Sequence, residues 1–484
     1  MMEDRGQTAG SDISATEISS QGEAALRSFS APRRSIEERL AAGKALRERV
    51  PRASHAECRL PAGRDDPIDI LLAQAKTRVA KLVPIRHARM LASPFAFYRG
   101  GASMMAQDLQ PTPTTRIKVQ ACGDAHLANF GAFASAERNL VFGINDFDET
   151  IPGPWEWDLK RLVASVDLCS RFLGADRAVT ENAIRSAVQS YREHMQYYAR
   201  MGYLALWYET IDEERLFAAL PPAVRKSAKK NFLDKAKLRT HLQVLEKLTD
   251  LLDDHHRIME DRPLVVRETR NDKGVPIKEV LGEFLQAYLH SLTENRRELI
   301  SRYRIVDVAR KVVGVGSVGT RCWVVFMEGA GSGDPLFIQA KEAQTSALAP
   351  YVGSPPFENE GRRVVKGQRL IQGAPDILLG WGQIRDIHFY VRQLRDMKGS
   401  VTLDPDDWDE DRLVAYTMVC GWALALAHAK SGDAAMIAGY VGKSEALDDA
   451  LVCFAEAYAT QVQKDYEQMR AAAKARRIAV AKVF

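Results

Sequence analysis

The stretch VQACGDAHLANFGAF, residues 119–133, crowds an aspartate, a histidine and an asparagine into one turn-rich segment, and GINDFDE follows at 143–149. In RIKVQAC the alternation of Ile117, Val119 and Ala121 predicts a strand entering the first cluster, and NLVFGIND predicts another beside the second. Both polar clusters therefore sit at strand ends. Asp124 follows Gly123, and Asn129 comes five positions later, so a carboxylate and an amide oxygen can face one space from a tight loop. Asp146 and Asp148 alternate around Phe147 and point the same way where the backbone is extended. Hard oxygens of this kind suit Mg2+, which is held by one or two carboxylates together with phosphate oxygens of a substrate. The competing reading is that Asp, Asn and Gly are turn residues with local hydrogen-bonding roles. Two such clusters joined by a hairpin-length segment weaken it.

Working outward, the 484 residues are 46% hydrophobic, enough for a large core and too many for one compact unit, so two or more lobes are expected. Lys+Arg 67 against Asp+Glu 63 leaves a formal charge of +4, too near balance to make nucleic acid the principal partner. The six cysteines (Cys58, Cys122, Cys169, Cys322, Cys420, Cys453) form no CxxC pair, which argues against a disulfide framework or a zinc site and fits a reducing cytosol. Residues 1–28 lack the basic-then-apolar pattern of a signal peptide, and no run of eighteen apolar residues occurs, so the expectation is a cytoplasmic protein without membrane partners.

Residues 1–34 are poor in large apolar groups and read as a disordered tail. From Ser35, SIEERLAAGKALRERV reads as a helix with Glu38 at capping-box spacing, and Pro51 ends it. After the second cluster, Leu159, Leu162, Val163, Val166, Cys169, Phe172 and Leu173 recur at helical spacing. Residues 175–300 read as helical throughout, with the basic stretch RKSAKKNFLDKAKLRTHL as a solvated face. From Val306 the texture is β-rich and divided by glycines, as in a small antiparallel sheet, and helical patterning returns from about 410. The expected organisation is a tail (1–34), a large helical lobe with both polar loops (35–300), a small β-rich lobe (301–398) and helices returning to the large lobe (399–484).

A third element is GVGSVG, with Gly314, Gly316, Ser317 and Gly319. The following TRCWVVF is β-branched and aromatic, so the glycines belong to a hairpin closing over phosphates and not to the strand-to-helix turn of a dinucleotide site. In LFIQAKEA, Lys341 sits in a strand among apolar neighbours and needs an anionic partner.

Together these parts resemble the protein-kinase-like superfamily, above all its aminoglycoside-phosphotransferase and choline-kinase branch: GDAHLAN is similar to the catalytic loop and NDFDE to the metal-binding turn. From about residue 40 the chain resembles the bacterial DUF2252 family, through RMLASPFAFYRG, CGDAHLANFG, NDFDETIPGPWEWDLKRL, GVGSVGT, YVRQLRDMKGS and LAHAKSGD. The kinase resemblance implies an α+β, two-lobed fold with a small antiparallel β lobe and a large helical lobe. Because the glycine loop and Lys341 follow the catalytic loop in the chain, that fold is expected to be circularly permuted.

The resemblance implies ATP and Mg2+ as cofactors and transfer to a hydroxyl of a small molecule. Asp124 would orient or deprotonate the hydroxyl, with His126 in its loop, and Asn129, Asp146 and Asp148 would hold metal. Lys341 and the loop at Gly314, Gly316, Ser317 and Gly319 would contact phosphates, and the backbone from Gln393 to Arg395 would bind adenine. Asp158 in GPWEWDLKRL would brace the catalytic loop. Cys122 departs from the histidine common before Gly-Asp. The partner of Lys341 is expected in NEGRRVVKGQRLIQ, as Glu360 or otherwise Gln368. AMP transfer to a protein and a nucleotide-binding scaffold without catalysis are the alternatives.

Less weight falls on DDHHR (Asp253 to Arg257), read as a solvated helical segment, and on His428 and Asp433, which imitate a catalytic loop at a helix end. Phe95, Phe97 and Tyr98 read as core, with Arg99 as a phosphate or acceptor contact.

Overall fold

The computed structural model describes residues 15–482 apart from 239–240, 253–254, 271–273, 332, 354–356, 374 and 395–398. Helices predominate, and the described strands form small antiparallel sheets. In chain order the first strands are β1 (Lys118–Ala121), β2 (Phe130–Ala134), β3 (Leu140–Ile144), β4 (Ile151–Pro154) and β5 (Ile211–Asp212). Then come β6 (Thr249–Leu252), β7 (His255–Ile258), β8 (Val265–Val266), β9 (Arg304–Lys311) and β10 (Cys322–Glu328). The last are β11 (Pro335–Glu342), β12 (Gly380–Ile384), β13 (Ile387–Gln393) and β14 (Gly399–Ser400).

The largest sheet has the order β12-β13-β11-β10-β9-β8. Its register sets Lys341 of β11 opposite Cys322 on one side and Tyr390 on the other. A second sheet, β14-β2-β3-β5, is built on the β2–β3 hairpin, and β1 pairs separately with β4, Ala121 opposite Ile151. That last pairing matters most for function. The loop leaving β1 carries Asp124, and the turn from β3 to β4 carries Asp146 and Asp148, so pairing β1 with β4 draws the two clusters together.

The helix Trp155–Leu173 follows directly and is buried at every position from Trp155 to Ser170. Its neighbours include the helices Arg177–Tyr198 and Ala446–Lys474. Trp155 stacks on Tyr191 with ring centroids 5.8 Å apart. One helix, Glu410–Ser431, is long and apolar enough to cross a membrane, but its apolar window is 83% buried inside the protein and it serves as a core helix. At the other end, Ser35 caps the helix Ile36–Arg49 through the expected box with Glu38. Ahead of it the helix Ala15–Ser30 stands where a disordered tail is expected; its Leu26 and Phe29 are exposed, so those side chains bury little apolar surface.

The uniform helix expected over 175–300 is corrected. β6 and β7 form a hairpin and β8 joins the largest sheet, because Ile258 and Val266 bury against that sheet and tertiary pairing overrides local helical pattern. DDHHR accordingly ends in a strand, with His256 Nδ1 3.0 Å from Thr249 Oγ1; Asp253 and Asp254 lie outside the described residues. Val244, Leu245 and Ile258 share a core with Phe326 and Phe337, while Phe284 and Tyr288 share one with Val325, Ile338 and Phe389. The small body therefore recruits chain well before residue 301.

Two glycines test this packing with opposite signs. A Cβ on Gly421 would stand 2.0 Å from the Ala187 carbonyl oxygen, where the helices Glu410–Ser431 and Arg177–Tyr198 cross. Gly421→Ala should lower stability by about 2 kcal/mol through overpacking. Gly282, in the helix Ile277–His290, has nothing within 4 Å of such a Cβ, so Gly282→Ala should raise stability by up to ~1 kcal/mol. Urea unfolding of both variants measures this, and equal signs would contradict the packing.

Candidate functional site

The loop after β1 is held from below by one carboxylate. Gly123 has φ +80°, and a Cβ there would lie 2.4 Å from the Glu149 carbonyl oxygen, so the position admits only glycine. The N–H groups of Cys122 and Gly123 donate to Asp158 Oδ2 and Oδ1 at 2.6 and 2.9 Å. Asp158, in the first turn of the helix Trp155–Leu173, thus sits where the resemblance put a bracing aspartate. His428 is fully buried, with Nε2 3.2 Å from Asp158 Oδ2 and Nδ1 2.9 Å from the Tyr191 hydroxyl. What looked like an imitation of a catalytic loop is part of the brace.

One helical turn beyond Asp158, Arg161 grips Asp124. Its Nε and Nη2 both donate to Oδ1, at 2.8 and 2.6 Å, and its guanidinium lies 3.9 Å from the Tyr98 ring centroid. Burial raises the Asp124 carboxyl, and the charge of Arg161 limits the rise. Oδ2 stays clear of Arg161. His126 Nε2 is 3.6 Å from that oxygen, beyond a hydrogen bond, and burial with the charges of Arg99 and Arg161 holds the ring neutral. His126 thus packs beside Asp124 within the same loop.

Phe147 is buried and anchors the second turn, leaving Asp146 and Asp148 on the side of Lys341. The Lys341 side chain is 2% exposed; its Nζ is bonded to Asp148 Oδ2 and lies 3.9 Å from Asp146 Oδ1. Burial alone would lower the ammonium, but the charges of Asp146 and Asp148 outweigh it and raise the pKa. Correspondingly, burial would raise Asp148, and Lys341 with the Tyr390 hydroxyl brings it below the ordinary range. Asp148 accepts from Tyr390 Oη at 2.8 Å and from Ser317 Oγ at 3.1 Å. It ties the glycine loop, β11 and β13 to the turn between β3 and β4.

The expected partners of Lys341 are corrected. Glu360 bonds to Arg363, and Gln368 donates to Gln372 Oε1 at 2.9 Å. Arg363 donates to the backbone oxygens of Thr150, Asp148 and Gln344 at 2.6, 2.8 and 2.8 Å, and so clamps the acidic turn.

The glycine loop joins β9 to β10, with φ +66° at Gly314 and +92° at Gly319, while Gly316 packs near the Arg99 carbonyl oxygen. A cleft of about 980 Å³ lies beneath it, lined among others by Asn129, Asp146, Gly314, Ser317, Lys341 and Arg392. Along the segment expected to contact adenine, two backbone N–H groups have partners within the protein. Gln393 N–H donates to Asp376, and Leu394 N–H to the Phe337 carbonyl at 2.8 Å. Arg395 lies outside the described residues.

Sequence reasoning missed Arg161, Arg363, Asp376, Tyr390 and Arg392. Only Arg161 carried a signal: an arginine at i+3 from a buried aspartate on an apolar helix.

Asn129 Nδ2 donates to the Asp124 carbonyl at 2.8 Å, which commits its amide nitrogen and not its Oδ1, and the Asp146 side chain is 34% exposed in the cleft. Among the described residues no three His, Cys, Asp or Glu side chains converge as a metal cage. An amide oxygen and one carboxylate nevertheless fit Mg2+ that takes its remaining oxygens from phosphate and water. Asp148, expected as a ligand, is occupied by Lys341.

Glu149, beside this turn, accepts from Ala347 N–H at 2.6 Å, yet burial pushes its carboxyl from 4.5 up to about 7. The folded state holds that proton more tightly than the unfolded chain, so stability falls as pH rises between those two values. Glu149→Gln should gain on the order of 2 kcal/mol over wild type at pH 8, with the gain fading towards pH 4.5. Denaturant unfolding across pH checks this; a gain independent of pH would contradict it.

No curated protein and no solved structure matches the chain. A family model described as an uncharacterized protein conserved in bacteria, DUF2252, matches residues 78–472. The match spans the β1–β4 loops, the glycine loop, Lys341 and the bracing helices, and the chain belongs to the DUF2252 family.

Proposed function

We propose that the protein is an ATP- and Mg2+-dependent phosphotransferase of circularly permuted kinase-like architecture that acts on a hydroxyl of a small molecule. The observation that carries this reading is the meeting of Lys341 with Asp146 and Asp148 beside a glycine-loop cleft. The order of parts within the small body supports it. A glycine loop joins β9 and β10, the lysine lies on the next strand, and the helix Glu360–Gln372 follows before β12 and β13. Protein kinases likewise have a glycine loop over the phosphates and a lysine on the third strand.

In this reading Asn129 and Asp146 would hold Mg2+, which supplies charge neutralisation on the phosphates when bound. Lys341 and the loop N–H groups would position the phosphates. Asp124, pinned through Oδ1 by Arg161, would present Oδ2 to the acceptor and take its proton as the new O–P bond forms and the terminal phosphoanhydride bond breaks, releasing ADP. The lysine's counter-ion comes from the acidic turn and not from the helix Glu360–Gln372, a departure from the kinase pattern that keeps the ammonium ordered with the metal ligand.

Isothermal titration with ATP and Mg2+ tests the reading. Wild type should bind, while Asp146→Asn and Lys341→Ala, checked for folding by circular dichroism, should bind at least ~10-fold more weakly, as expected for loss of a charged contact. Equal binding by all three, or by none, removes the assigned pocket. The mass of the acceptor product then separates added phosphate from added AMP.

A further inference from the structure

A smaller chamber of about 120 Å³ adjoins the cleft and shares Arg99, Asn129, Asp146, Gly314 and Ser317 with it. Asp124 lines only the smaller one, together with Arg78 and Arg86. Its wall comes from the segment that precedes the catalytic loop and docks on the glycine loop. Val79 N–H donates to the Gly319 carbonyl at 2.8 Å, and Arg78 Nη1 to the Val318 carbonyl at 2.6 Å.

The charges around this chamber are unevenly matched. Asp124 is held by Arg161, Asp148 by Lys341, Glu342 by Arg321 and Glu149 by the Ala347 N–H. Arg78 feels the charges of Glu149, Glu342 and Asp148, and Arg99 that of Asp124, but the three guanidinium groups keep hydrogen-bond donors that none of these carboxylates satisfies. Arg86 is 1% exposed and donates through Nη2 to Gln74 Oε1 and the Gly100 carbonyl, at 2.7 and 3.0 Å. Its Nε and Nη1, and the Nε atoms of Arg78 and Arg99, are buried without a partner among the described residues. Burial depresses all three guanidinium pKa values, the response of cations lacking a full counter-charge. Buried donors are normally satisfied, and guanidinium N–H groups match phosphate oxygens in geometry and charge. Donors arriving from three separate positions suit a tetrahedral anion better than a planar carboxylate.

We propose that Arg78, Arg86 and Arg99 form a phosphate seat for the acceptor, so that the substrate is a phosphorylated hydroxy compound whose hydroxyl faces Asp124. The anion seat stands on geometry alone, and its assignment to the acceptor rests on the phosphotransferase reading.

The test is isothermal titration of the full chain with inorganic phosphate and, separately, with ATP and Mg2+, for wild type, Arg78→Gln, Arg86→Gln and Asp146→Asn. Wild type and Asp146→Asn should bind phosphate, and each arginine variant should bind it roughly tenfold or more weakly while keeping its ATP affinity. If Arg86→Gln fails to fold by near-ultraviolet circular dichroism, Arg78→Gln, whose side chain is half-buried, carries the comparison. No phosphate binding by wild type, or binding indifferent to the arginines, overturns the seat. Joint loss of phosphate and ATP binding in the arginine variants assigns the seat to the nucleotide's own terminal phosphate and overturns the acceptor assignment. Arginine-dependent phosphate binding in a wild type that binds no ATP sinks the nucleotide reading and supports the seat.

Discussion

A lysine ammonium almost wholly withdrawn from water, in the middle of a sheet, is tolerated only with a charge beside it, and Asp148 is that charge for Lys341. The two residues lie 193 positions apart, so this contact fixes how the largest sheet meets the acidic turn. Tyr390 and Ser317 converge on the same carboxylate, which extends the constraint to β13 and the glycine loop. Removing Asp148 leaves the buried ammonium with Asp146 3.9 Å away, and removing Lys341 leaves Asp148 with Tyr390 and Ser317, so either loss costs about 3 kcal/mol, the low end for a buried pair. The width of the cleft follows from that geometry.

Behind the contact stands a frame that keeps the carboxylates in place without reacting itself. Asp158 gathers two consecutive N–H groups of the Asp124 loop and is held in turn by His428, whose other ring nitrogen bonds the Tyr191 hydroxyl, so that two further helices join the frame. Arg363 grips three carbonyl oxygens around the acidic turn. A network anchored in the helix Trp155–Leu173, buried from Trp155 to Ser170, holds these donors and acceptors in orientation in advance, as the proposed transfer requires.

Much of this was legible because it is local. Period-two alternation marked β1 and β3, the Gly-Asp and Asp-Phe-Asp spacings marked the two loops, and glycines followed by β-branched residues marked a hairpin and not a dinucleotide turn. Asp158 was legible through the motif around it. What stayed hidden depends on distant pairing. β2, with the sequence FGAFA, looks like part of a polar loop until it pairs with β3. β6 to β8 carry helix-compatible residues and become strands only against β9 and the small-body core. The partner of Lys341 was sought on a helix by analogy, whereas the chain places Asp148 within bonding distance and engages Glu360 with Arg363. His428 reads from sequence only as an imitation of a catalytic loop at a helix end, and its complete burial and contact with Asp158 place it in the frame.

The account turns on whether Lys341 and Asp148 meet in the folded protein. A double-mutant cycle with Lys341→Met and Asp148→Asn, followed by urea unfolding, measures that directly. The structure predicts a coupling of about 2 kcal/mol or more between the two substitutions, with the double variant less damaged than the sum of the singles. Additivity within ~0.5 kcal/mol would mean that the largest sheet and the acidic turn do not meet through this pair and would contradict the account.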